Sequence, residues 1–160
     1  MTQTDFTVLY QKFSPKIFRL CKGYFAGDLD TANDITQEVF MKVWQQHDTF
    51  RNEANISTWI YQIAVNSCLL YLRKASNRKE FKTESLPEIP DSNEDHLNDD
   101  KLQQLYGCIA KLDEPNRLII MMVLDGLSYE EIAKVVGVSE DTLRVKIHRI
   151  KKNLTQCVTK

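Results

Sequence analysis

From Ser139 onward the chain places Thr142, Arg144, Val145, His148, Arg149 and Lys152 on one side of a helical repeat. Their chemistry suits reading a DNA major groove: Arg pairs with guanine edges, Thr and Val touch thymine methyls, and Lys meets phosphates. At about 100° per residue, Leu143, Ile147, Ile150 and Leu154 fall on a separate apolar stripe, the side such a helix buries. A basic front on an apolar back also describes an ordinary solvated helix, so the neighbouring residues must decide.

They favour a reader. Ser128 and Glu131, three residues apart, form a capping box that starts a preceding helix. Ile132, Ala133 and Val136 give that helix an apolar face, and Ala133 is small enough for two helices to cross closely. Gly137 suits the left-handed turn that ends it. Ser139 caps the next helix, with Glu140 and Asp141 in the first turn where the dipole favours carboxylates. Helix, tight turn and basic helix at this spacing make a helix-turn-helix. From Ser139 to Lys160 six Lys or Arg face two acids, although the whole chain carries a net charge of only −1.

Two further clusters carry possible chemistry. In TANDITQEVFMKVWQQ, Asp34, Gln37, Glu38 and Met41 lie opposite the apolar Ala32, Ile35, Val39, Phe40, Val43 and Trp44. An exposed Met beside amides and acids suits a docking face for a partner helix. Asp34 and Glu38 have no third ligand at metal spacing, so no metal is expected there. Further on, the polar loop around Arg51, Asn52 and Ser57 precedes a long helix with Trp59, Gln62, Asn66 and Arg73 on one stripe. That set can hold unstacked bases, or Trp59 can simply be core; spacing leaves both open. Cys21, Cys68, Cys108 and Cys157 are scattered without a CxxC, which predicts buried free thiols. His47, His96 and His148 form no ligand cluster with them, so no zinc site and no cofactor are expected. No nucleophile–base pair or phosphate loop points to an enzyme.

Helices must position all of this. With 160 residues, 42% hydrophobic, and no alternating β-branched runs, the fold class is all-α. Phe6, Leu9, Tyr10, Phe13, Ile17, Leu20, Cys21 and Tyr24 repeat at helical spacing, with Pro15 predicting a kink or two abutting helices. Gly27 closes that segment, and Asp30 is the expected cap of the next. From Glu84 to Asp100 there are seven acids and no Lys or Arg, and Pro87 and Pro90 forbid a continuous helix. The chain therefore reads as two small helical domains, 1–75 and 99–160, joined by a flexible acidic linker over 76–98 that leaves their spacing undetermined. The second is a four-helix domain: one helix near Asp99, one led by Asp113, Glu114 and Pro115, then the helix-turn-helix. The N-terminus has no apolar core of signal-peptide length, and the longest apolar run, Leu118 to Leu124, is too short to span a bilayer, so the expected location is the cytoplasm with no membrane insertion.

With both motif sets in view, the chain resembles the extracytoplasmic-function sigma factors. The resemblance rests on DITQEVFMKVW and FRNEANISTWIYQIAVNSCLLYLRK in the first half, and on the proline-led helix and GLSYEEIAKVVGVSEDTLRVKIHRIKKNL in the second. It implies an RNA polymerase specificity subunit with no enzymatic activity. It implies that Asp34, Gln37, Glu38 and Met41 dock on the clamp helices of polymerase β′, and that the second domain meets the β flap. It implies that Arg51, Asn52, Ser57, Trp59, Asn66 and Arg73 capture and melt the −10 element. Ser139, Thr142, Arg144, Val145, His148, Arg149 and Lys152 then read the −35 element. An anti-sigma factor is an implied partner, and the linker is implied to pass through the polymerase. His148 departs from the basic face, since neutral imidazole contributes little to phosphate affinity. The rival readings are a stand-alone helix-turn-helix regulator, which leaves the docking face idle, and a sigma mimic that sequesters an anti-sigma factor, which should lack the basic residues of the last helix.

Overall fold

The structure is a computed structural model and describes residues 2–50, 55–78 and 96–159. Among these the chain forms seven α-helices and no strand: α1 (Gln3–Tyr24), α2 (Leu29–Gln46), α3 (Ile56–Arg78), α4 (His96–Ala110), α5 (Glu114–Leu124), α6 (Tyr129–Val136) and α7 (Glu140–Val158), with one 3₁₀ turn at His47–Thr49. The fold class is the expected one. Residues 76–78 and 96–98, placed in the linker by composition, are helical, and the acidic stretch between them lies outside the described residues.

Local chemistry explains the helix ends. Thr2 and Asp5 form a reciprocal capping box on α1. Helix α1 is continuous through Pro15, so neither a break nor a second helix appears there. Proline removes one backbone hydrogen bond, and the burial of Phe13, Ile17 and Leu20 around it holds the helix together. The cap of α2 is Asp28 rather than Asp30: its carboxylate accepts from the Thr31 amide and hydroxyl. Asp30 falls instead in the first turn, where the dipole still favours it. Ser139 caps α7, as the sequence predicts, and Asp113, one of the three residues the sequence placed at the start of α5, proves to be its cap. Ser128 and Glu131 cap each other across the start of α6. Gly137 ends α6 at φ +79°, a conformation that costs a side chain but not glycine.

In the first half α2 packs against both α1 and α3; in the second, α7 packs against α4, α5 and α6. The two halves are also in direct contact, α1 on α5 and α4, and α3 on α6. A spacing left undetermined by sequence is thus filled by packing. Apolar faces of both halves join in one buried cluster that includes Ile17, Leu20, Tyr24, Tyr61, Met121 and Met122. At Gly23 the two halves approach closely: a Cβ there would enter the space of the Met121 thioether.

Polar contacts flank this seam. Asp125, just after α5, accepts from Arg19 Nε at 3.2 Å and from Tyr61 Oη at 3.3 Å, and its side chain is 6% exposed. Arg117 donates to the Tyr24 carbonyl at 2.9 Å and lies over the Tyr24 ring. Gln62 of α3 donates to the Lys134 carbonyl of α6 at 3.1 Å.

The cysteines divide into two kinds, against the expectation of four free thiols. Cys21 and Cys68 are free and fully buried, with sulfurs 3.8 Å apart between α1 and α3. Cys108 and Cys157 are bonded to each other. Sequence spacing hid that pair because α4 and α7 become neighbours only after the intervening helices fold back. No helix among the described residues is long and apolar enough to cross a membrane.

Candidate nucleic-acid and partner interfaces

Helix α7 turns its apolar stripe fully inward: Leu143, Ile147, Ile150 and Leu154 are all buried. Thr142, Arg144, Val145, His148, Arg149 and Lys152 are all exposed on the remaining face. Ser139 is occupied at the start of the helix, its hydroxyl accepting from the Thr142 amide and donating to the Thr142 hydroxyl. Arg144 is held by Glu140 one turn back at 2.6 Å and lies over the Tyr129 ring of α6. The Glu140 hydrogen bond, first, and its charge raise the already high pKa of the guanidinium. Arg149, His148 and Lys152 make no side-chain hydrogen bond or ion pair among the described residues. The exposed face of α7 therefore carries one arginine held by Glu140 and one, Arg149, without a side-chain partner among the described residues.

On α2, Asp34, Gln37, Glu38 and Met41 are all exposed, with Met41 at 61%. Trp44, which the apolar pattern assigned to the buried side, is 42% exposed. It packs edge-on against Phe6, and Tyr10 does the same against Phe40. Together Phe6, Tyr10, Gln37, Phe40, Met41, Trp44 and Gln45 line a groove of about 330 Å³, and within this lining Gln37 Nε2 donates to Tyr10 Oη at 3.0 Å. Sequence reading missed Phe6, Tyr10 and Trp44 as surface residues. They sit on the edge of two apolar stripes, and only the meeting of α1 with α2 shows which edge stays uncovered.

Along α3 the stripe proposed for unstacked bases is mixed. Asn66 and Arg73 are exposed, and Ser57 is half-buried. Trp59 is half-buried, its ring tilted against Phe50 at 4.9 Å between centroids. Gln62 is occupied by α6 through the Lys134 carbonyl. Arg51 and Asn52 lie outside the described residues. Asn55 marks the start of the helix, its side chain accepting from the Ser57 amide.

A family model described as Sigma-70 region 2 matches residues 9–78, and one described as Sigma-70, region 4 matches residues 102–154. The ECF RNA polymerase sigma-E factor of Escherichia coli (strain K12) is 32% identical over 161 aligned positions, covering 92% of this chain and 83% of that protein. The RNA polymerase sigma factor SigV of Bacillus subtilis (strain 168) is 31% identical, covering 89% of this chain and 84% of that protein. Among solved structures, the sigma factor RpoE in complex with the anti-sigma factor NepR from Bartonella quintana superposes with a TM-score of 0.80 at 22% identity, over 97% of each chain. CnrH in complex with the cytosolic domain of CnrY gives 0.73 at 20% identity, over 99% of this chain and 90% of that one. Matched by sigma region models in both of its halves and related over most of its length to sigma factors, the chain belongs to the extracytoplasmic-function sigma factors, the RNA polymerase subunits that direct transcription to specific promoters.

Proposed function

We propose that this sigma factor divides its work between two outward faces. The exposed set Asp34, Gln37, Glu38 and Met41 docks on the β′ clamp helices of core polymerase, with the neighbouring groove receiving an apolar side chain. The exposed front of α7 reads the −35 element: Arg144 and Arg149 address base edges or phosphates, Thr142 and Val145 address thymine methyls, and Lys152 addresses phosphate. Arg51, Asn52, Ser57, Trp59, Asn66 and Arg73 capture the −10 element, and the C-terminal helices meet the β flap. An anti-sigma factor is a further partner, in keeping with the complexes formed by the two structural neighbours. The protein has no catalytic step of its own and works in the cytoplasm. The observation that carries this reading is that α7 buries its whole apolar stripe, and α2 all of its own but Trp44, while the proposed contact residues Asp34, Gln37, Glu38, Met41, Thr142, Arg144, Val145, Arg149 and Lys152 are exposed.

The test is transcription from genomic DNA by core polymerase with and without the purified chain, with the transcript starts mapped. New starts preceded by two aligned sequence elements are expected. No new starts, combined with tight and specific duplex binding by the chain alone, would favour the stand-alone regulator instead.

A further inference from the structure

Cys108 of α4 and Cys157 of α7 are joined by a disulfide that closes a loop 49 residues apart in sequence, with Cα atoms 6.0 Å apart. We propose that this bond is a reversible redox modification site, opened by small thiols of the glutathione class and re-formed by their disulfides. It sets how firmly the end of α7 is held on α4. The proposal rests on the cytoplasmic reading above, because disulfides in that reducing compartment persist only as responsive or transient bonds.

The position of the bond says what it does. The last buried residue of the α7 stripe is Leu154. Beyond it Thr155 and Gln156 are exposed, and Cys157 and Val158 are half-buried. The disulfide and a 3.4 Å hydrogen bond from Gln104 to the Val158 carbonyl tie this final turn to α4, and Cys157 and Val158 pack against the buried cluster. Cys157 also lies past residue 154, where the match to region 4 ends. The clamp thus lies at the C-terminal turn of α7, beyond the span matched to region 4.

The two cysteine residues differ in exposure. Cys108 is 6% exposed, whereas Cys157 is half-buried. An incoming thiolate therefore attacks Cys157 Sγ. A bond forms between that sulfur and the external one, the Cys108–Cys157 bond breaks, and Cys108 leaves as a thiolate that takes up a proton. A second external thiol then attacks the mixed disulfide and releases Cys157. In sum, one cystine and two external thiols become two cysteine thiols and one external disulfide, with two electrons passed to the protein. Re-oxidation by the external disulfide reverses each step.

The other pair supplies an internal contrast. Cys21 and Cys68 are fully buried. Their mutual hydrogen bond, first, and then burial push the Cys68 thiol well above its ordinary range, which suppresses the thiolate that exchange requires. One chain therefore carries a reachable pair and a shielded one.

The test equilibrates the full chain in a series of buffers from reduced to oxidised glutathione. Free thiols are then blocked, and each cysteine is read by mass spectrometry. Cys108 and Cys157 should pass together from blocked to bonded within the series, while Cys21 and Cys68 remain thiols. A Cys108–Cys157 pair that stays bonded under excess reduced glutathione, or stays as thiols under oxidised glutathione, overturns the proposal. So does equal reaction of Cys21 and Cys68. The oxidised chain should also melt about 5–10 °C higher than the reduced chain. Cys157→Ser should lose that difference, and a retained shift in this variant would assign the effect elsewhere. These readouts use neither polymerase nor promoter. A failure of the functional reading, seen in the transcription assay, therefore remains separate from a failure of this one.

Discussion

Arg149 and Glu38 are the residues at which the two proposed faces are most directly tested. Arg149 is exposed on α7 with no partner among the described side chains, whereas Arg144 is already committed to Glu140. An unengaged guanidinium is free to form the bidentate contact that distinguishes one base from another. Arg149→Ala should therefore cost about 1–3 kcal/mol at one position of the −35 element and little elsewhere. Holoenzyme binding to promoters mutated across that element gives the answer, and a uniform loss on every sequence would recast Arg149 as a phosphate contact. On the opposite half, Glu38 is exposed and its neighbours Val39 and Phe40 carry the packing of α2. Glu38→Lys should change stability by no more than about 0.5 kcal/mol. It should weaken association with core polymerase, as read by a fluorescence titration, and unchanged affinity would remove this face from the docking surface.

Among the elements, α6 is the short one on which α7 depends. It has eight residues, too few to be stable alone, and it is held by its capping box, by the turn at Gly137 and by contacts with α3, α5 and α7. Its burial reflects those several neighbours: Ile132 and Ala133 are buried as the hairpin pattern requires, whereas Val136, assigned to the same face, is half-buried and Val135 is buried instead. Ser128→Ala removes the acceptor for the Glu131 amide and breaks the reciprocal cap. The expected loss is about 1 kcal/mol, or a fall in melting temperature of about 2–4 °C, measured by calorimetry. Ser128→Asp, which restores an acceptor, should recover most of it. An unchanged melting temperature in the alanine variant would mean that tertiary packing alone holds the start of α6.

At the scale of the whole molecule, the proposed reading of the −10 element by α3 and of the −35 element by α7 on one promoter requires a change of shape. Elements centred at −10 and −35 are about 25 base pairs apart, which is about 85 Å along B-DNA. A compact chain of this length has a radius of gyration of about 15 Å. α1 rests on α5 and α3 on α6, so the proposed reading of both elements predicts that binding to polymerase parts the two halves. The Asp125 carboxylate is the polar centre of the seam. It accepts from Arg19 and Tyr61, and burial, followed by the charge of Asp125, raises the Tyr61 pKa so that the phenol remains a donor. Asp125→Ala leaves both donors without that acceptor and should loosen the seam. X-ray scattering of the variant should show a larger radius of gyration than the parent, and a superposable profile would show that apolar packing around Met121 suffices. For the parent chain alone, the same closure predicts weak binding to promoter duplex at about 0.15 M salt, restored when core polymerase is added.

What the sequence determined by itself was everything that depends on near neighbours. The caps at Ser128 and Ser139, the start of α5 near Asp113, the turn at Gly137 and the buried stripe Leu143, Ile147, Ile150 and Leu154 stand where the pattern placed them. Those signals act over one or two helical turns, so no distant partner can move them. The helix class and the family followed from the same local information, repeated in both halves. Where two caps competed within one turn, Asp28 over Asp30, the local signal was ambiguous, and side-chain geometry decided. The tertiary structure alone decided what depends on residues far apart in the chain. It brought Cys108 to Cys157, Arg19 and Tyr61 to Asp125, and Met121 into the space that Gly23 leaves. It also exposed Trp44 beside Phe6 and Tyr10, although their apolar character alone would have buried all three. Helical periodicity tells which residues share a side of one helix. Which sides meet, and which edge remains uncovered, is settled only by packing the helices together.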